Sequence, residues 1–267
     1  MTSVAPESFR PRNIQLRRFA GPGTYAKQGL HHLRVAHLTD LHVGRVTPMR
    51  VQAEAVALAN AEDPDLVVLT GDFVCHSQRY LDELTSVIAG FAAPVVCVLG
   101  NHDRTFDEGR AVAAALRGSG AILLDPGSHV IEVNGHRVGI AGLTGTGGGF
   151  YGSRGRTGGD RTAHRAAGAA AAELDEALRA IGHCSVRIVL MHYSPTVDTL
   201  VGEQPRLWPA LGSERLAEPI HRHRPSIVVH AHAHEGSARG EVGGVPVVNV
   251  SASVLGRPVA LFDVAGS

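Results

Sequence analysis

Short apolar runs, rich in β-branched residues, recur along the chain, and helix-period stretches separate the first of them. Residues 33–39, 66–70 and 95–99 each read as a buried strand bounded by turn residues. After the first, Pro48 starts a helix that places Val51, Ala55, Leu58 and Ala59 on one face, and Asp63-Pro64-Asp65 breaks it. A second helix near 78–90 aligns Leu81, Leu84, Val87 and Ile88, and a third near 107–118 ends at Gly118. A short strand over 121–124 follows. Residues 129–143 then read as a hairpin around Asn134-Gly135, the favoured two-residue turn. A hairpin at that point breaks the β-α alternation and predicts that the sheet changes direction or splits in two.

Residues 144–165 are dense in glycine and arginine. A mobile lid that meets an anionic substrate and a plain surface loop both fit that composition, and glycine content alone predicts the second. An alanine-rich helix over 166–181 comes next, then a strand over 187–191. A helix near 213–223 with Ser213 as N-cap leads to a strand over 226–229, and the chain ends in strands over 245–250 and 259–264. Residues 1–32 are basic and interrupted by Pro and Gly; they read as an extended lead-in, an N-terminal extension. With no repeat and no linker composition, residues 33–267 are expected to form one domain.

The chemistry lies where the apolar runs stop. Five of them end in metal-ligand residue types: Asp40 and His42, Asp72, Asn101 and His102, His192, and His232 and His234. Alternate residues on an extended chain face the same way, so Asp40 and His42 can reach one point. Each residue alone has an ordinary explanation, since Asp or Asn after a strand is a common turn residue. Together, unpaired carboxylates and imidazoles converging on one end of a sheet would carry a large desolvation cost. Divalent cations remove that cost. Carboxylate, imidazole and amide oxygen suit Mn, Fe or Zn better than an all-oxygen calcium site. The donors suffice for two ions, and Asp72 ends the strand read as central, where a carboxylate can bridge.

Composition narrows the partners. The formal net charge is zero over 267 residues, which argues against a nucleic-acid partner held by bulk electrostatics. Sixteen histidines strengthen the metal hypothesis. The three cysteines, Cys75, Cys97 and Cys184, form no C-x-x-C pair, and a reducing cytoplasm is the default expectation. No run approaches the ~20 apolar residues of a membrane span. Oligomeric state is not legible.

Taken in order, Asp40-Leu41-His42, Gly71-Asp72, Gly100-Asn101-His102-Asp103, His192 and Ala231-His232-Ala233-His234 resemble the calcineurin-like metallophosphoesterase superfamily. The five blocks span about 33–235. The resemblance implies a four-layer α/β/β/α sandwich with two central mixed sheets. It also implies two metal sites: Asp40, His42 and His234 around one ion, Asn101, His192 and His232 around the other, and Asp72 bridging them. His102 would be an outer-sphere imidazole that stabilises charge or protonates the leaving group, and Asp103 would buttress His102 or its loop. The implied reaction is hydrolysis of a phosphoester; the compact chain, without large specificity insertions, favours a phosphodiester such as a cyclic nucleotide, with phosphomonoesters, nucleotide-linked lipids and phosphoproteins left open. In it, two cations lower the pKa of a bridging water and clamp the phosphoryl oxygens for in-line attack.

Two positions depart from the superfamily pattern. Ala231 stands where a glycine is usual, and its methyl group is expected to crowd the turn without removing a ligand. Cys75 stands where some branches carry Asp or Tyr; it could approach a metal as thiolate, but a buried inert thiol is the expected reading. His230 shares strand parity with His232 and His234 and is not counted as a ligand. A metal-binding scaffold of the same fold with little catalysis is the rival reading; His102, which such a scaffold has no need of, argues for an enzyme. No G-x-S-x-G elbow is present for a metal-free α/β hydrolase.

Overall fold

Strand β1 (Leu33–Leu38) is apolar at both parities, and that pattern explains where it lies. Leu33 and Val35 point into one buried cluster, while Ala36 and Leu38 point into another. A strand covered on both faces belongs in the interior of a layered structure. The computed structural model describes residues 33–44, 46–133, 135–150 and 161–264. The N-terminal extension and the centre of the Gly/Arg-rich segment lie outside the described residues.

The first sheet has the order β11-β1-β2-β3-β4. It is built from β2 (Leu66–Leu69), β3 (Val95–Cys97), β4 (Ile122–Leu123) and β11 (Ala260–Val264) around β1, with only β11 antiparallel. Helices α1 (Met49–Ala61), α2 (Leu81–Ala89) and α3 (Arg110–Gly118) cover its outer face through Ala55, Val56, Leu84, Ile88, Val112 and Leu116. The second sheet has the order β5-β6-β7-β8-β10-β9. Its strands are β5 (Gly127–Val133), β6 (His136–Leu143), β7 (Val186–Met191), β8 (Ile227–His230), β9 (Arg239–Val242) and β10 (Val245–Asn249). Helix α4 (Arg161–Ala180), a four-residue turn of helix α5 (Trp208–Leu211) and helix α6 (Ala217–His223) follow in chain order. Leu174 and Leu178 of α4 and Ile220 of α6 pack on Ala141, Val189 and Val228, which cover the outer face of this sheet. Val68, Val98, Ile140, Ile188 and Val229 fill the space between the sheets. The four-layer α/β/β/α sandwich is therefore the observed architecture, and the hairpin β5-β6 is where the chain passes from one sheet to the other.

Some boundaries differ from the sequence reading. The buried face of α1 is Gln52, Ala55, Val56 and Ala59; Ala55 and Ala59 lie as expected, while Leu58 packs only partly buried against the core and Val51 is half-buried. The side chain of Gln52 donates to the Leu41 carbonyl, which satisfies the amide that this face buries. Helix α4 begins at Arg161, five residues before the alanine run. Strand β9 had no apolar signal, because it is an edge strand, Arg-Gly-Glu-Val, paired only with β10. A short helix α7 (Ala252–Leu255) precedes β11.

Candidate metal centre

Strands β1, β2 and β3 run parallel, as do β7 and β8. The residues that follow them therefore gather at carboxyl ends, where open α/β sheets bind ligands. The chain stays registered past the strands. The Asp40 and His42 N–H groups donate to the Gly71 and Asp72 carbonyls at 3.1 and 2.9 Å, and Ala231 N–H donates to the His192 carbonyl at 3.2 Å. Gly71, at φ +91°, allows the β2 and β3 loops to approach: a Cβ there would lie 2.3 Å from Gly100 N.

Asp72 occupies the centre of the cluster and is buried. Its Oδ2 lies 3.5 Å from His192 Nε2, 3.8 Å from His102 Nε2 and 4.0 Å from His42 Nε2. Its Oδ1 accepts the His102 backbone N–H at 3.0 Å. Burial works to raise its pKa, but the imidazoles of His192 and His102 hold it below the ordinary carboxylate value.

His192 is fully buried, and its Nδ1–H donates to the Thr70 carbonyl at 2.7 Å. That bond selects the tautomer and leaves Nε2 as a lone pair. The lone pair faces Asn101 Oδ1 at 2.9 Å as well as Asp72. Asp40 presents the same problem more acutely: both its carboxylate oxygens are buried without a hydrogen-bond partner. Burial pushes its pKa up to about 7, and the nearest basic atom is His234 Nε2, 3.8 Å from Oδ1. Acceptors converging on acceptors fit cations between them. Two sets bring their ligand atoms within 4.8 Å of one another and share Asp72: Asp40, His42 and Asp72, and Asp72, His192 and His232.

Residues 33–236 match the calcineurin-like phosphoesterase family along their whole length. The chain belongs to the calcineurin-like phosphoesterases. Among curated relatives, UDP-2,3-diacylglucosamine pyrophosphatase LpxG of Chlamydia muridarum is 34% identical over 77 residues, 28% of this chain and 23% of the relative. Phosphodiesterase YaeI of Escherichia coli is 28% identical over 105 residues, 38% and 39% of the two chains. A probable cyclic nucleotide phosphodiesterase of Rhodopseudomonas palustris is 39% identical over 77 residues, 25% of this chain and 28% of the relative. The chain thus spans well under half the length of these relatives. Among solved structures, the phosphopantetheinyl hydrolase of Mycobacterium tuberculosis superposes with a TM-score of 0.59 at 16% identity, over 81% of this chain and 88% of that one. A dimetal phosphatase from Danio rerio gives 0.55 at 11% identity, over 87% and 93%. At those identities the likeness is one of fold.

In this calcineurin-like phosphoesterase His102 stands at the rim, its side chain 28% exposed. The His76 ring stacks on it at 3.9 Å between centroids, and the His42 ring meets it edge-on at 5.0 Å. Burial holds its pKa below the ordinary imidazole value, against the pull of Asp72. Asp103 accepts the backbone N–H groups of Gly100 and Val74 at 2.8 and 3.0 Å, so its carboxylate braces the two loops on which the centre stands. Burial pushes its pKa up to about 8.

The thiol of Cys75 is half-buried rather than enclosed, and it groups with His42 and His102 within 4.8 Å. This corrects the expectation that the thiol is buried. Ala231 is not among the described residues of positive φ; His232, at φ 69°, takes the left-handed step instead, so the methyl group at 231 meets no backbone strain of that kind. His230 turns to the Thr199 hydroxyl and the Ala231 carbonyl, each at 2.8 Å. Five of the eight described non-glycine residues with positive φ are Asp40, His42, Asp72, His76 and His232. At roughly 1–3 kcal/mol each, such strain persists only where the surroundings enforce it. Sequence reading missed His76 and also Tyr193, whose ring lies 4.6 Å from that of His232; each sits beside a motif residue, and adjacency was the only signal.

Proposed function

We propose that this protein is a phosphodiesterase that works with two transition-metal ions. Asp40, His42 and His234 would hold one ion, Asn101, His192 and His232 the other, and Asp72 would serve both. The donor set suits Mn, Fe or Zn. When bound, the pair supplies a water of lowered pKa and withdraws charge from the phosphoryl oxygens.

The chain's own residues do the rest. His192 is held by Thr70 so that only its Nε2 faces the substrate side. His102, half-buried at the rim and held by burial below the ordinary imidazole pKa, is placed to hydrogen-bond a phosphoryl oxygen or the departing oxygen. Asp103 keeps its loop in place through the Gly100 amide. The observation that carries this reading is Asp72, one buried carboxylate with three imidazoles directed at it from three loops. The phosphodiesterase names of two relatives support a diester over a monoester.

The test is metal-stripped protein assayed with bis(p-nitrophenyl) phosphate and p-nitrophenyl phosphate after addition of Mn, Fe, Zn, Ni or Co. Diester turnover exceeding monoester turnover is expected. Monoester turnover alone would make it a phosphomonoesterase, and no turnover with any metal would leave a binding scaffold.

A further inference from the structure

A cavity of about 500 Å³ opens beside the centre and shares Asn101 and Tyr193 with it. Helix α4 forms one wall. Ala166, Ala169, Ala170 and Glu173 recur at the spacing of one helix face, so this wall offers three methyl groups and one carboxylate. A volume of this size is that of a small-molecule site, not of packing voids.

Its charge decides what it can hold. Arg104 is the one cation among the described lining residues, and it is already committed: its guanidinium lies 2.9 Å from Asp125 Oδ2 and 3.3 Å from Thr144 Oγ1. Asp125 is fixed in turn by the Thr144 amide at 2.7 Å and its hydroxyl at 2.8 Å. With Glu173 added, carboxylates outnumber cations among the described lining residues, so a second phosphate would meet net negative charge from them. The apolar wall suits the face of a ring, and Glu173 and the remaining N–H groups of Arg104 suit hydroxyls.

We propose that this cavity receives one uncharged, hydroxyl-bearing arm of the phosphodiester, of the sugar or nucleoside class, and that Ala169 and Glu173 set that preference. The proposal rests on the phosphodiesterase reading for its activity and on the cavity alone for its binding.

The test compares two diesters with the same leaving group, the p-nitrophenyl esters of methyl phosphate and of a nucleoside monophosphate. The protein should favour the nucleoside ester by ~10-fold or more in kcat/KM, the size expected of one apolar subsite. Ala169→Trp, or Ala166→Trp one turn earlier, fills the cavity and should erase that preference while leaving the methyl ester unchanged. The p-nitrophenyl ester of a nucleoside diphosphate should be the poorer substrate, and Glu173→Lys should reverse that order. Equal use of both monophosphate esters, or preference for the diphosphate, overturns the proposal. Binding of free thymidine to metal-free protein, followed by saturation-transfer NMR, reads the cavity without turnover and should vanish in A169W. Binding without hydrolysis would sink the activity and keep the cavity; hydrolysis without binding would do the reverse.

Discussion

A methyl group on Gly100 would lie 2.1 Å from Oδ1 of Asp72. The backbone at 100 and the carboxylate at 72 are therefore in contact with no atom to spare, and the placement of the central carboxylate depends on a hydrogen at that position. Gly100→Ala must push Asp72 aside. Displacement by about an ångström at a reacting centre costs roughly 100-fold in rate, and kcat/KM of the metal-loaded enzyme should fall by at least that much, with metal content reduced. Gly118→Ala is the control. A Cβ there meets nothing within 4 Å and Gly118 ends a helix, so the change should raise stability by up to about 1 kcal/mol without altering activity.

Asn101 and His102 are neighbours with different expected signatures. Asn101 Oδ1 faces the lone pair of His192, whereas His102 contributes a ring at the rim. Asn101→Ala should lower bound metal and activity together. His102→Ala should retain metal, measured by elemental analysis, while kcat falls by about 100- to 10,000-fold, the range for a lost acid–base group. Metal loss in H102A matching that in N101A would make His102 a ligand.

Much of this centre was legible because strands buried on both faces leave an unbroken apolar signature, and polar residues at their ends stand out against it. Asp40, Asp72, Asn101, His192 and His232 could be named from that contrast alone. What escaped is instructive. Gln52 was hidden because a buried amide satisfied by the Leu41 carbonyl has no periodic signature. Strand β9 was hidden because an edge strand needs no apolar face. Cys75 read as buried because exposure depends on how the β2 loop turns at His76, whose φ of 48° no residue pattern announces. The cavity beside α4 was invisible because an alanine face looks the same in sequence whether it packs or lines a space.

Asp40 makes the centre a site of stored instability. Both its oxygens are buried without a donor, and a buried acceptor left unsatisfied costs about 1–3 kcal/mol, more when charged. Metal-free Asp40→Asn should therefore melt above metal-free wild type. Added Mn should raise the wild-type melting temperature, by an amount equivalent to about 4 kcal/mol at a thousandfold excess over Kd. In D40N that gain should be much smaller. A metal-free variant less stable than wild type would show that Asp40 has a structural partner.

His37 supplies the pH dependence. It lies between the sheets, 1% exposed, with Nε2 2.8 Å from Thr70 Oγ1 and Nδ1 unpartnered. Burial first, and the nearby His230 second, bring its pKa down to about 3 from the ordinary 6.5. The folded chain thus binds fewer protons than the unfolded chain between those values, so stability is full above pH about 6.5 and falls as the pH drops toward 3. Each such imidazole contributes up to about 1.4 kcal/mol per pH unit over that window. His37→Leu removes one of them and leaves its neighbour His230 in place. Its altered packing shifts the whole curve, whereas the lost titration changes only the slope. Denaturant unfolding of metal-free protein at several pH values from 4 to 7 separates the two effects. The acid limb of H37L should be shallower than that of wild type by close to one proton, and parallel curves would mean that His37 is protonated in the fold.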